Sequence, residues 1–277
     1  MSRKRDKEPV VERYRLPTNK KKISLADYDT RDKDCFPDRD EAEAVTARDV
    51  EAIAELQNRL YAEGRQALVV VFQATDTGGK DSTIRKVLGP INPQGVHVTS
   101  FKAPSSTELA HDYLWRIHQA VPAKGMIGVF NRSHYEDVLI VRVRDLAPKD
   151  DIEQRYDQIN AFERHLAENH VTILKFFLHI SKDEQKERLQ ARLDDPEKHW
   201  KFNPGDLDER KLWDDYEDAF EIALSRCSTR HAPWFVIPAD RKWYRNAVVA
   251  RVIRHTLEEM DPRYPEAEHD VDGIVID

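Results

Sequence analysis

Ala74-Thr75-Asp76-Thr77-Gly78-Gly79-Lys80-Asp81 is the stretch on which the fold turns. It follows the apolar run Ala67-Leu68-Val69-Val70-Val71-Phe72 and leads into Ser82-Thr83-Ile84-Arg85-Lys86-Val87-Leu88, which can wind as a helix. A strand, a glycine turn, a lysine and a helix, in that order, make a phosphate-binding loop. Backbone N–H groups and the helix N-terminus face an anion, and the lysine adds a point charge. The loop departs from G-x-x-x-x-G-K-[ST] at both ends: Ala74 replaces the first glycine, and Asp81 replaces the hydroxyl residue that ordinarily contacts Mg²⁺. Two carboxylates, Asp76 and Asp81, flank Lys80 instead. A carboxylate beside a phosphate is repulsive unless a metal ion or a proton lies between them. The pattern therefore points to phosphate plus metal, with Asp76 or Asp81 on the metal side.

Outward from the loop, strands and helices alternate. Strands are predicted at 67–73, 96–101, 126–130, 171–179 and 234–237, and helices at 40–63, 80–88, 108–120, 151–168, 182–193, 206–228 and 241–260. Continuous apolar strands alternating with helices imply an α/β fold, a parallel sheet covered on both faces. Residues 1–39 are polar, carry Lys20-Lys21-Lys22, and read as an extended arm or solvated tail. Residues 40–260 read as a single domain, and the acidic 261–277 as a loose tail. Trp213, Tyr216 and Phe220, spaced three and four apart, read as a core stripe.

The composition narrows the function. The 277 residues are 40% hydrophobic and 34% charged. No run approaches the roughly 18 apolar residues of a membrane span, and the charged start Met1-Ser2-Arg3-Lys4-Arg5-Asp6 has no apolar segment behind it, so neither membrane nor secretion is expected. The two cysteines, Cys35 and Cys227, belong to no C-x-x-C pair. That suits a reducing cytoplasm. The net charge of −7 and a pI near 5.9 argue against general nucleic-acid binding, while 44 Lys and Arg leave room for a local basic groove. No zinc motif and no G-x-S-x-G elbow is present.

Two further constellations carry chemistry. In Gly128-Val129-Phe130-Asn131-Arg132-Ser133-His134-Tyr135-Glu136-Asp137 an apolar strand ends and polar groups follow. Ligands of open α/β sheets sit beyond the carboxyl ends of strands, so Arg132 could reach a phosphate and Glu136 or Asp137 a metal. Ser133 and Glu136 also read as helix-capping residues. Farther along, Arg188 and Arg192 share a helix face, and Lys198 and Lys201 flank Trp200 beyond Pro196. Such a basic segment suits a lid over phosphates as well as it suits a solvated helix.

Taken together, the chain resembles the polyphosphate kinase 2 family. The resemblance is carried by Phe72 to Asp81, Asn92-Pro93-Gln94-Gly95, Ala110 to Arg116, Phe130 to Val138, Asp195 to Lys201, Ala232-Pro233-Trp234 and Ile237 to Asn246, in order, from about Asp40 to Leu257. Gly78-Gly79 stands where many members have Ala-Gly or Ser-Gly, and Ser82 where Gly is common. The resemblance implies a P-loop kinase fold like that of thymidylate kinase, with a helical lid at about 182–206. It implies transfer of phosphoryl groups between inorganic polyphosphate and AMP, ADP or ATP with Mg²⁺, or Mn²⁺ in its place, in a homodimer or homotetramer. Tyr135-Glu136-Asp137-Val138 resembles the subgroup acting on both AMP and ADP, called class III.

On that reading Lys80, with Thr77, Gly78, Gly79, Asp81, Ser82, Asn131 and Glu136, holds phosphate and nucleotide. Asp76 and Asp137 anchor the metal, and Arg132 and Arg188 stabilise the transferring group. Arg192, Lys198 and Lys201 line the polyphosphate path, extended by Lys20 to Lys22. An ATP-dependent nucleoside-monophosphate kinase and a non-catalytic phosphate- or nucleotide-binding module are the rival readings.

Overall fold

The computed structural model describes residues 9–18, 22–267 and 276. Among these residues five parallel strands stand in the order β2-β3-β1-β4-β5. They are β1 Ala67–Gln73, β2 Val96–Ser100, β3 Ile127–Asn131, β4 Val171–His179 and β5 Trp234–Pro238. Every residue of β1 is buried. Leu68, Val70 and Phe72 enter one hydrophobic cluster while Ala67, Val69 and Val71 enter another, because alternate side chains leave opposite faces of a strand. A strand covered on both faces favours apolar side chains on both, which is why β1 reads as an unbroken run up to the buried Gln73 at its end.

The helices are α1 Pro9–Tyr14, α2 Arg39–Glu63, α3 Lys80–Val87, α4 Ser106–Leu109, α5 Trp115–Ala120, α6 Ile140–Val143, α7 Lys149–Glu168, α8 Lys182–Leu193, α9 Gly205–Lys211, α10 Trp213–Cys227 and α11 Lys242–Met260. The pair α2 and α11 covers one face of the sheet, and α7 and α10 cover the other. Asp38 caps α2 by accepting from Glu41 N, and Gly64, at φ +62°, ends it in the left-handed region that a side chain disfavours. Inside the α2–α11 seam the fully buried Asp49 accepts from Arg251 Nε at 2.8 Å and Arg254 Nη1 at 2.9 Å.

Three expected elements differ. The single helix at 108–120 is two, because the Asp112 side chain accepts from Leu114 N at 3.0 Å and takes the backbone out of helix between α4 and α5. The helix at 206–228 breaks at Leu212, whose N–H bonds tightly back to Glu209 O. The third is the polar arm, whose described part is packed. Val10, Val11, Tyr14, Leu16, Ile23, Leu25 and Phe36 are buried, Leu16 N donates to Trp234 O at 2.8 Å, and Thr30 Oγ1 donates to Asp240 at 2.9 Å. Its apolar residues are too sparse to register against the charges around them. Lys20 and Lys21, and most of the acidic tail, lie outside the described residues. No helix among the described residues is long and apolar enough to cross a membrane. With β1 between β3 and β4, the loops after these strands meet at one edge of the sheet, where open α/β sheets bind ligands.

Candidate active site

The loop after β1 is built on two left-handed residues, Thr77 at φ +63° and Gly79 at φ +98°. Thr77 is not glycine, and a side chain held there marks stored strain of the kind that collects at binding sites. Gly79 also leaves no room for a side chain, since a Cβ there would strike the Arg245 guanidinium. Lys80 Nζ donates to Ala74 O at 3.0 Å, which closes the lysine back over its own loop. Burial, then the Arg132 charge, pushes the Lys80 ammonium below its ordinary value, although Asp76, Glu136 and Asp81 pull the other way. Ser82 Oγ donates to Gly79 O at 2.9 Å, and the Thr75 and Thr77 hydroxyls are buried without a partner.

The end of β3 completes the site. Arg132 is left-handed, at φ +62°, and its N–H donates to Phe72 O at 3.0 Å, at the end of β1. Its guanidinium meets Asp76 Oδ1 at 3.2 Å and Glu136 Oε2 at 4.0 Å. Burial works against that charge, but Glu136 and Asp76 hold it above the ordinary arginine value. Asn131 Nδ2 donates to Asp81 Oδ1 at 2.5 Å and ties α3 to β3. Beneath, Ser133 Oγ caps the turn by accepting from Tyr135 N and from Gln73 Nε2. The turn rests on a buried cluster in which Lys175 Nζ donates to Glu163 at 2.6 Å and Tyr135 Oη at 2.7 Å.

Two cavities open here. One, about 780 Å³, lies over the loop and is lined by ten lysines and arginines against three carboxylates. The other, about 240 Å³, is lined by Leu139, Ile140, Trp213, Tyr216 and Phe220, with four carboxylates and a single arginine on its polar side. Asp76, Arg132 and Asp206 line both. Asp206 is held above the usual carboxylate range, first by burial and then by the Asp76 charge. Carboxylates crowded in this way favour a cation between them.

Of the expected residues, Asp76 to Ser82, Asn131, Arg132, Arg188, Arg192, Lys198 and Lys201 all reach the basic cavity, and Glu136 lines the apolar one. Asp137 does not join them. It lines neither cavity, and its carboxylate faces Arg155, with Nη1 at 3.5 Å from Oδ1 and 2.9 Å from its carbonyl. The turn after β3 points consecutive residues apart, so Glu136 rather than Asp137 shares a wall with Asp76. Arg188 reaches the cavity but is largely spent on protein. Nε donates to Glu184 at 2.7 Å, Nη1 to Thr77 O at 2.9 Å, and Nη2 to Ala239 O at 2.6 Å and Asp240 O at 3.1 Å.

Arg192 binds Asp206 at 3.2 Å, Lys198 binds Asp195 at 2.6 Å, and Lys201 lies over the Trp200 ring. Trp213 and Phe220 of the expected stripe are core and Tyr216 is half-buried, yet the same rings wall the apolar cavity. Sequence reasoning singled out none of Arg85, Lys102, Lys242 and Arg245, all of which line the basic cavity. Lys102 follows the end of β2 and Lys242 and Arg245 follow β5, so the strand-end rule applied to every strand finds three of them.

Comparison with known proteins gives a consistent picture. The sequence model of the family described as polyphosphate kinase 2 matches residues 36–265. A Meiothermus ruber protein named AMP/ADP-polyphosphate phosphotransferase is 55% identical over 86% of this chain and 88% of its own length. A Rhodopseudomonas palustris protein named ADP-polyphosphate phosphotransferase is 45% identical over 88% of this chain and 89% of its own. The crystal structure of polyphosphate kinase 2 from Arthrobacter aurescens superposes with a TM-score of 0.91 at 45% identity, covering 95% of this chain and 94% of that one.

Proposed function

The chain belongs to the polyphosphate kinase 2 family, and we propose that it transfers the terminal phosphoryl group of inorganic polyphosphate to AMP and ADP. The observation that carries this reading is the pair of unlike cavities sharing Asp76, Arg132 and Asp206. The basic cavity suits a chain of phosphates. Its apolar side chains are Phe101 and two alanines, so it offers a nucleotide donor no slot of rings for a base. The smaller cavity suits one flat base against Tyr216, Trp213 and Phe220, its carboxylates accepting from amino or hydroxyl groups and repelling a second polyanion.

The acceptor oxygen of AMP or ADP is already ionised near neutral pH, so no strong base is needed. It attacks the terminal phosphorus of the chain, a new P–O bond forms, and the bridging P–O bond to the shortened polyphosphate breaks. Catalysis then rests on positioning and on neutralising two polyanions. Lys80 and the loop N–H groups hold the transferring phosphoryl. Arg132, at the shared border, faces the charge of both substrates. Arg188 acts chiefly by bracing Thr77 O, and Arg192, Lys198 and Lys201, on the lid, face the chain.

Mg²⁺, or Mn²⁺, supplies further charge neutralisation when bound. The hard oxygens of Asp76 and Glu136 would hold it. Among the described residues no group of three or more His, Cys, Asp or Glu side chains could hold a metal by itself, which suits an ion that takes its other oxygens from phosphate and water. Cys35 and Cys227 are free thiols, in keeping with a cytoplasmic setting. A homodimer or homotetramer rests on the family resemblance alone.

The test is to supply AMP and Mg²⁺ with either polyphosphate or ATP as sole donor and to separate the nucleotides formed. ADP followed by ATP, from polyphosphate alone, is the expected result. Product from ATP only would instead mark an ATP-dependent monophosphate kinase, and no product from either a binding module.

A further inference from the structure

Arg245 stands in the first turn of α11 and is 1% exposed. Its guanidinium lies against Gly79. Nη2 donates to Ser82 Oγ at 3.1 Å and Asn246 Oδ1 at 3.0 Å, Nε donates to Asn246 Oδ1 at 3.2 Å, and Nη1 stands 3.5 Å from Gly78 O. Every one of these acceptors is neutral. Among the described residues no carboxylate pairs with it; the charge that acts on it is a cation, Arg188, and it acts in turn on another, Lys242. Burial, and then Arg188, pushes Arg245 down to about 9. Taking a guanidinium out of water without a counter-charge is strongly unfavourable, and a protein chain ordinarily supplies a carboxylate. Here it supplies none, yet the side chain forms part of the wall of the basic cavity.

We infer that Arg245 is a substrate-contacting residue whose missing counter-charge is the polyphosphate itself, a non-bridging oxygen of the chain seated against the Gly78–Gly79 turn. The inference rests on the proposed donor. It also explains why Gly79 must lack a side chain, since any other residue would displace the guanidinium as well as strain the turn. Lys80 and Arg245 then hold the chain from two elements, α3 and α11, that meet only in the folded protein.

The test compares the full chain with Arg245→Met, which keeps length and apolar contact and removes the charge. Melting is followed with and without tripolyphosphate, and turnover with polyphosphate and AMP. The ligand-free variant is expected to melt at or above the wild-type temperature, because an unpaired buried charge is gone. Tripolyphosphate is expected to raise the wild-type melting temperature and to raise that of the variant clearly less. The variant's KM for polyphosphate is expected to rise about tenfold or more, with that for AMP little changed. A variant that loses stability yet keeps the full tripolyphosphate shift makes Arg245 a structural brace and overturns the inference. If Arg245→Met does not fold, Arg245→Lys takes its place, and an unchanged KM for polyphosphate overturns it equally. A wild type that neither shifts with tripolyphosphate nor turns over polyphosphate removes the donor reading, and this inference with it.

Discussion

Arg132 carries more of this site than its place in the sequence suggests. It sits in a left-handed backbone conformation, donates its N–H to the end of β1, and pairs with carboxylates from both the loop and its own turn. Its neighbour Asp137 shows how sharply one turn separates roles. Burial, only partly offset by Arg155 and Arg116, raises the Asp137 carboxyl to about 6. Between the ordinary aspartate value and that figure the folded chain holds a proton that the unfolded chain has released. Its contribution to stability is therefore present in acid and is lost as pH rises through about 6. Replacing Asp137 with Asn removes this dependence. From pH 4 to pH 7 the variant is expected to gain on the wild type by up to about 3 kcal/mol in urea unfolding. A gap that does not change with pH would mean that Asp137 is ionised throughout.

At the scale of elements, the site depends on helices that hold the loop from outside. Gln185 and Arg188 of α8 donate to Asp76 O and Thr77 O, and the α8 cap residue Ser181 bonds to Asp240, which also accepts from Thr30 of the N-terminal segment. On the far face the α2–α11 seam is closed by Asp49. Truncating it to Ala takes a shared buried carboxylate from Arg251 and from Arg254, which keeps Glu258, and a loss of about 2 kcal/mol is expected in denaturant unfolding. A loss within error would show that water replaces the carboxylate there.

The strands and the loop were legible in the sequence because unbroken apolar runs and the Gly78-Gly79-Lys80 turn are local signals. The two helix breaks turn on one side chain or one tight backbone bond, at Asp112 and Leu212, and such details do not disturb hydrophobic spacing. Packing of the N-terminal segment was hidden because Val10, Tyr14 and Ile23 are scattered among charges. Arg245 carries no local spacing signal; only its place beyond the end of β5 points to the site, and it meets the loop only in the folded chain.

For the whole molecule, the governing fact is the separation of charge. A chain of net charge −7 gathers ten cations around one cavity and walls the adjoining slot with rings and carboxylates. On the proposed reading such a field draws a polyanion to one side of Arg132 and leaves the other side to a nucleotide. The most direct test of this division is a crossed pair of variants, with KM measured separately for polyphosphate and for AMP. Lys198→Ala with Lys201→Ala thins the basic cavity, and Ile140→Trp fills the apolar slot. The first is expected to raise KM for polyphosphate about tenfold with little effect on AMP, and the second to do the reverse. Equal effects of each variant on both substrates would contradict the assignment of one cavity to each.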